Sequence, residues 1–128
     1  MPDKKVTTTF NKKAYKYLLK LNNCFNDEIL EKVKLMADDL ENAWVNKRQV
    51  FICGNGGSAA NAIHIANDLH YGIGACGSNT TRPGLRIEAL PANTGIVTCL
   101  ANDIGYEHIY SHQLEVKANS SDMLIVLS

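Results

Sequence analysis

No apolar run in these 128 residues approaches the roughly 18 that a membrane-crossing helix needs, so a spanning segment is excluded. No excess charge of either sign is present, because 13 Lys and Arg balance 13 Asp and Glu. Electrostatics therefore gives no global case for nucleic acid or an acidic membrane surface as a partner. Cysteine is scarce: Cys24, Cys53, Cys76 and Cys99 sit far apart, with no Cys-x-x-Cys pair. In a cytosolic chain these read as small core residues or free thiols, not as a disulfide or zinc framework. Residues 1–10 are polar, carry Lys4 and Lys5 and lead into no apolar segment. No signal peptide is expected, and the default compartment is the cytoplasm.

What is present is an ordinary globular composition, 45% apolar and 20% charged, which argues against disorder, collagen and coiled coil. The length suits one domain or part of one, since domains commonly run to about 100–200 residues. Charge is unevenly placed, with ten Lys/Arg and seven Asp/Glu in residues 1–48 against three and six in residues 49–128. The basic end reads as a solvated helical face. Residues 10–21 carry Phe10, Ala14, Tyr17, Leu18 and Leu21 at helical spacing, and Asn22 and Asn23 interrupt them. Asn26-Asp27 offers a cap for a second helix over 28–45, whose stripe is Ile29, Leu30, Val33, Met36, Ala37, Leu40 and Trp44. The two predict a helical hairpin over 1–48 with a stripe that reads first as core, and as partner surface if the hairpin assembles subunits.

The remainder, 49–128, alternates strands with helices. Val50-Phe51-Ile52-Cys53 reads as a buried strand running into a glycine turn, and residues 58–71 as a helix. A loop follows over 72–84, then a strand over 85–90 ended by Pro91. Helices are expected over 94–102 and 106–117, and Met123-Leu124-Ile125-Val126-Leu127 reads as a third buried strand. This is the pattern of a doubly wound, mainly parallel α/β sheet. Ligands in such sheets sit outside the carboxyl ends of the strands. A buried strand stopping at Ser128 with no covering helix reads as a chain cut inside its fold.

The loop Gly54-Asn55-Gly56-Gly57-Ser58 lies between strand and helix. Glycines there permit positive φ and close approach of a ligand, and the free N–H groups at a helix start bind anions. Ser58 adds a hydroxyl and a plausible cap. A phosphate or sugar-phosphate site is favoured over a bare turn. The loop is not a Walker loop and lacks dinucleotide spacing. His64 and Asp68 lie four apart on one helix face, where they suit a shared divalent metal, a general base, or no more than a surface pair. His108 and His112 are also four apart, but nothing accompanies them, and His70 has no nameable partner. Asn102-Asp103 either ends a helix or projects an amide and a carboxylate toward sugar hydroxyls.

FICGNGGSAANAIHIANDL (51–69), LANDIGYEHIY (100–110) and SSDMLIVLS (120–128) together resemble the SIS (sugar isomerase) domains of the phosphoheptose isomerase group. The resemblance implies a three-layer α/β/α fold with a five-stranded parallel sheet, assembled as a homotetramer through the helical hairpin. It implies conversion of sedoheptulose 7-phosphate to D-glycero-D-manno-heptose 7-phosphate through an enediol, on the route to lipopolysaccharide or capsule heptose, with one zinc per subunit. By position, Asn55, Gly56, Gly57, Ser58, Asn102 and Asp103 would contact substrate. His64 would ligate zinc. Asp68 stands where the isomerases place a glutamate that is both metal ligand and base.

Aspartate is one methylene shorter, so its carboxylate sits roughly 1 Å back, a misplacement that can cost about a hundredfold in rate. The family's serine-rich loop, glutamine and histidine would lie beyond Ser128, so the isolated chain is expected to be inactive. GSAANA (57–62) also resembles the SIS protein that binds the bacterial replication initiator. The alternatives are therefore a non-catalytic, partner-binding SIS module and an isomerase for another sugar phosphate.

Overall fold

The computed structural model describes residues 4–73 and 83–128, of which 4–8 by their backbone alone. Most of the expected loop over 72–84, Cys76 included, lies outside the described residues. The chain forms two compact units, Met1–Asp39 and Leu40–Ser128.

The first unit is helical. Helix α1 runs Lys4–Cys24 and passes through Asn22 and Asn23, where an interruption was expected. Helix α2 runs Asp27–Val45. Asn26 caps it, its side-chain oxygen accepting from the Ile29 N–H at 2.9 Å. The apolar stripe is not core over this unit: Phe10, Tyr17, Leu18, Leu21, Ile29, Leu30, Val33 and Met36 are all exposed. It becomes core only from Leu40 onward, where Leu40, Ala43 and Trp44 pack with Val50 and Leu85. Periodicity identifies the residues that share a face, not what covers that face.

The second unit is an α/β sheet of three parallel strands, β1 (Val50–Gly54), β2 (Ile87–Ala89) and β3 (Met123–Leu127), in the order β2-β1-β3. Val50 pairs with Ile87 on one side and Met123 on the other. Central β1 is buried along its whole length because both faces are covered. On one face Ile52 packs against Ala62 and Ala66 of α3 (Gly57–Asn67), small residues that let the helix approach closely. On the other, Phe51 and Cys53 pack with Leu90, Tyr110 and Leu114. Leu114 belongs to α5 (Ser111–Lys117), which follows α4 (Thr94–Asp103).

Helix, sheet and helix thus form the three expected layers. The chain leaves β1 through α3 to reach β2 on one side, then returns through α4 and α5 to β3 on the other. The carboxyl end of β1 is therefore the switch point where such sheets bind ligands.

Three expected elements differ. The second strand is only three residues long, because Leu90–Ala92 turns into a 3-10 segment at Pro91. The helix expected over 106–117 is split into a 3-10 turn, Tyr106–His108, and α5. The break buries Ile109 and brings Tyr110 over the end of β1, so tertiary packing overrides a continuous helix. The third strand is not fully buried: Met123, Ile125 and Leu127 are half-buried, while Leu124 is 45% and Val126 64% exposed. Register places these two beside Phe51 and Cys53, beyond the cover that α5 supplies.

Candidate functional site

Gly54 closes β1, and the chain turns at Gly56 (φ 55°), a left-handed backbone that favours glycine. Helix α3 begins at Gly57 with Gly56 at its cap position and no side-chain cap, so Ser58 does not cap it as expected. Ser58 and Ala59 donate back to the Asn55 and Gly56 carbonyls. The Asn55 N–H continues the β1–β3 ladder toward the Leu127 carbonyl, whereas the N–H groups of Gly56 and Gly57 have no acceptor among the described residues. Nothing lies within 4 Å of a Cβ built on Gly56 or Gly57. Bare backbone donors at a helix start facing open space form an anion cradle.

One and two turns further along α3, Ser58, Asn61 and His64 border an open cleft of about 360 Å³ against the carboxyl end of β3. His64 Nε2 lies 3.4 Å from Asp68 Oδ2, with the two side chains 78% and 67% exposed. In water an exposed pair of this kind is worth a few tenths of a kcal/mol. The spacing also suits a metal. Zinc bonds of about 2.0–2.1 Å to imidazole nitrogen and carboxylate oxygen, at the tetrahedral angle, put two donors about 3.4 Å apart. The pair is thus a fitting half of a zinc donor set. No group of three or more His, Cys, Asp or Glu side chains able to hold a metal forms among the described residues. From Asp68 to Gly72 the helix widens into a π turn, whose Leu69 carbonyl accepts from the Leu85 N–H at 2.8 Å. At Gly84 no side chain fits, because its Cβ would lie 1.4 Å from the His70 carbonyl oxygen.

The SIS domain profile matches residues 9–128. The chain belongs to the SIS domain family. It is 36% identical over 103 residues to a phosphoheptose isomerase of Aneurinibacillus thermoaerophilus, covering 80% of this chain and 50% of that protein. It is 35% identical over 118 residues to one of Helicobacter pylori (strain P12), covering 90% and 56%. The phosphoheptose isomerase GmhA structure from Neisseria gonorrhoeae superposes with a TM-score of 0.66 at 26% identity, covering 97% of this chain and 59% of that one. The chain spans about half the length of the curated relatives it matches.

Within this SIS domain the structure gathers Asn55, Gly56, Gly57 and Ser58 at the switch point, with His64 and Asp68 along the same helix. Asn102 and Asp103 end α4 and are engaged locally. Asn102 Nδ2 donates to Asp103 Oδ1 at 2.7 Å, and the Cys99 thiol donates to Oδ2 at 3.4 Å. These bonds, chiefly that from Asn102, hold the Asp103 carboxyl below its ordinary range, and the same carboxylate raises the Cys99 thiol. Neither side chain has a hydrogen bond to the glycine loop. His108 and His112 fall on different elements, and His112 lies 3.7 Å from Glu115 instead.

Two residues at the loop escaped sequence reasoning. The Tyr110 hydroxyl donates to the Gly54 carbonyl at 2.6 Å and reaches Asn55 Oδ1 at 3.3 Å. The Tyr106 hydroxyl donates to the same Oδ1 at 3.0 Å. Burial, with Cys53 and Tyr106 beside it, pushes the Tyr110 hydroxyl above its ordinary value, so it is a protonated donor at neutral pH. Both lie inside the LANDIGYEHIY segment (100–110), but nothing in their spacing marks a role at the loop.

Proposed function

We propose that the protein is a sugar-phosphate aldose–ketose isomerase that converts sedoheptulose 7-phosphate to D-glycero-D-manno-heptose 7-phosphate. The observation that carries this reading is the His64–Asp68 pair, held at tetrahedral donor spacing along the helix that begins in the glycine loop. The named relatives support it, since they are phosphoheptose isomerases. In this reading the N–H groups of the loop and the Ser58 hydroxyl bind oxygens of the sugar phosphate, and Asn102 and Asp103 meet its hydroxyls once substrate draws them from their local bonds. The Asp68 carboxylate takes the proton from C1 of the ketose while the C2 oxygen gains one, which gives the enediol. Return of a proton to C2 and loss of the O1 proton complete the aldose. His64 and Asp68 would hold one zinc per subunit, whose chemistry when bound is polarisation of the substrate oxygens.

The wider reading assigns residues 1–48, the helical hairpin, to part of the interface of a homotetramer and residues 49–128 to the N-terminal portion of a SIS domain. Contiguous exposed apolar surface on α1 and the first turns of α2 supports the interface, because such surface marks a place where another chain sits. The same reading puts the enzyme in the cytoplasm, supplying heptose for lipopolysaccharide or capsule.

The test is turnover of sedoheptulose 7-phosphate by the full reading frame that encodes this chain, with and without zinc. Zinc-dependent turnover that collapses in Asp68→Asn is the expected result. A well-folded oligomer with no turnover would overturn the reading and favour a SIS module that binds a protein partner.

A further inference from the structure

Asn55 is exposed at the turn, yet its side chain meets two hydroxyls supplied from more than fifty residues downstream. A primary amide carries one acceptor oxygen and one nitrogen with two donors, and turning it over exchanges them. The Tyr110 proton is directed at the Gly54 carbonyl, 2.6 Å away, which ties the turn to the end of β1. The Tyr106 hydroxyl donates to Asn55 Oδ1 at 3.0 Å. Gly105, at φ 110°, makes the bend that delivers Tyr106 to the loop, a backbone conformation that an L side chain rarely adopts. With the oxygen engaged, the free end of the amide is its nitrogen.

We propose that Tyr106 is a positioning residue that holds the Asn55 amide with its nitrogen toward the ligand, while Tyr110 fixes the turn through the Gly54 carbonyl, so that Asn55 is a donor to an oxygen of the bound sugar phosphate. This rests on the sugar-phosphate reading above. The clamp extends the row of backbone donors with a side-chain donor and makes the loop selective for acceptor atoms. It also explains why the chain breaks its helix between Tyr106 and Ser111.

The test uses the full reading frame, with steady-state kinetics on sedoheptulose 7-phosphate and thermal melting at fixed protomer concentration. Tyr106→Phe is expected to raise KM roughly threefold to tenfold, the worth of one ordered hydrogen bond, with little change in kcat. That effect is expected to vanish in an Asn55→Ala background, whereas a merely structural tyrosine would keep it. Asn55→Asp retains an acceptor for the Tyr106 hydroxyl and loses the donor, so its KM is expected to rise more than that of Tyr106→Phe. Equal effects of Tyr106→Phe in both backgrounds, or wild-type KM in Asn55→Asp, overturn the proposal. Should the wild type turn over no sedoheptulose 7-phosphate, the isomerase reading fails, and melting alone judges the clamp. The Tm losses of Tyr106→Phe and Asn55→Ala are then expected to be non-additive, and additive losses overturn the clamp.

Discussion

The three glycines of the loop stand in different physical situations, and alanine at each gives its own prediction. A Cβ on Gly54 would lie 2.7 Å from Ser58 Cβ, 2.8 Å from the Leu127 carbonyl oxygen and 3.0 Å from the Ser58 carbonyl carbon. None of these atoms can rotate away, because two are backbone and the third is fixed to it. Either the start of α3 or the end of β3 must shift, and overpacking of this kind costs about 1–3 kcal/mol. Gly56 has open space around it, so Gly56→Ala meets only its positive-φ backbone (φ 55°, ψ −123°), which lies outside the left-handed helical well, and costs about 1–3 kcal/mol. Gly57 has open space and no left-handed φ, and it begins α3. Gly57→Ala is therefore neutral or stabilising by about 0.5 kcal/mol through the unfolded chain. At about 2–4 °C per kcal/mol for a protomer of this class, Gly54→Ala and Gly56→Ala each lower Tm by roughly 2–12 °C. Gly57→Ala leaves Tm level or slightly higher. A Gly54→Ala variant as stable as Gly57→Ala would refute the close approach of α3 and β3.

The same series separates glycine needed for the turn from glycine needed for a ligand. A methyl group on Gly57 stands in the open space through which an anion must approach the loop donors. Gly57→Ala is thus expected to keep its Tm and lose affinity for sedoheptulose 7-phosphate by at least about tenfold, measured by calorimetry on the full reading frame. Parental affinity in that variant would leave Gly57 with no role beyond the bend.

Three further outcomes follow from single residues. Lys47 closes α2 at φ 54°, with its N–H on the Trp44 carbonyl and the Arg48 N–H on that of Ala43, an arrangement that glycine adopts without strain. Lys47→Gly is expected to raise stability by about 0.5–1 kcal/mol in urea melts, and a loss of stability would contradict the assigned backbone. Asp122 accepts from the Gln49 N–H at 3.1 Å and the Asn119 N–H at 2.7 Å, and these bonds, chiefly that from Asn119, hold its carboxyl below its ordinary value. A depressed carboxyl stabilises the fold fully above the unfolded value and loses that contribution as pH falls through the folded one. Asp122→Ala should therefore cost about 1 kcal/mol at pH 7, with the deficit shrinking below about pH 4; a deficit constant from pH 7 to pH 2 would refute this. Last, His64→Ala and Asp68→Asn are each expected to abolish zinc uptake measured by metal analysis of the full reading frame, while Tm of the metal-free protein stays within about 2 °C, since the exposed pair itself is worth little.

The features readable from the sequence are those set by short spacings. Val50 to Cys53 announced a buried strand because four apolar residues end on glycine. His64 and Asp68 shared a face because a helix places residues four apart side by side, and the structure holds them at 3.4 Å. The unreadable ones depend on what arrives from elsewhere in the chain. Tyr106 and Tyr110 looked like two members of one helix, yet their partners are Gly54 and Asn55 across the switch point. Burial of Ile109 and a 2.6 Å bond to a strand end outweigh the few hydrogen bonds that a continuous helix would add. The stripe from Phe10 to Met36 shows the complementary limit, because helical spacing is identical for a face that packs on its own sheet and one left exposed. Asn102 and Asp103 lie between these cases. Their order in the chain singled them out, but the bonds they make with each other and with Cys99 mean that any ligand must compete with a local partner. In the proposed reading their contribution to binding is thus the difference between two hydrogen-bonded states, and it is smaller than that of the Gly56 and Gly57 N–H groups, which have no acceptor among the described residues to give up.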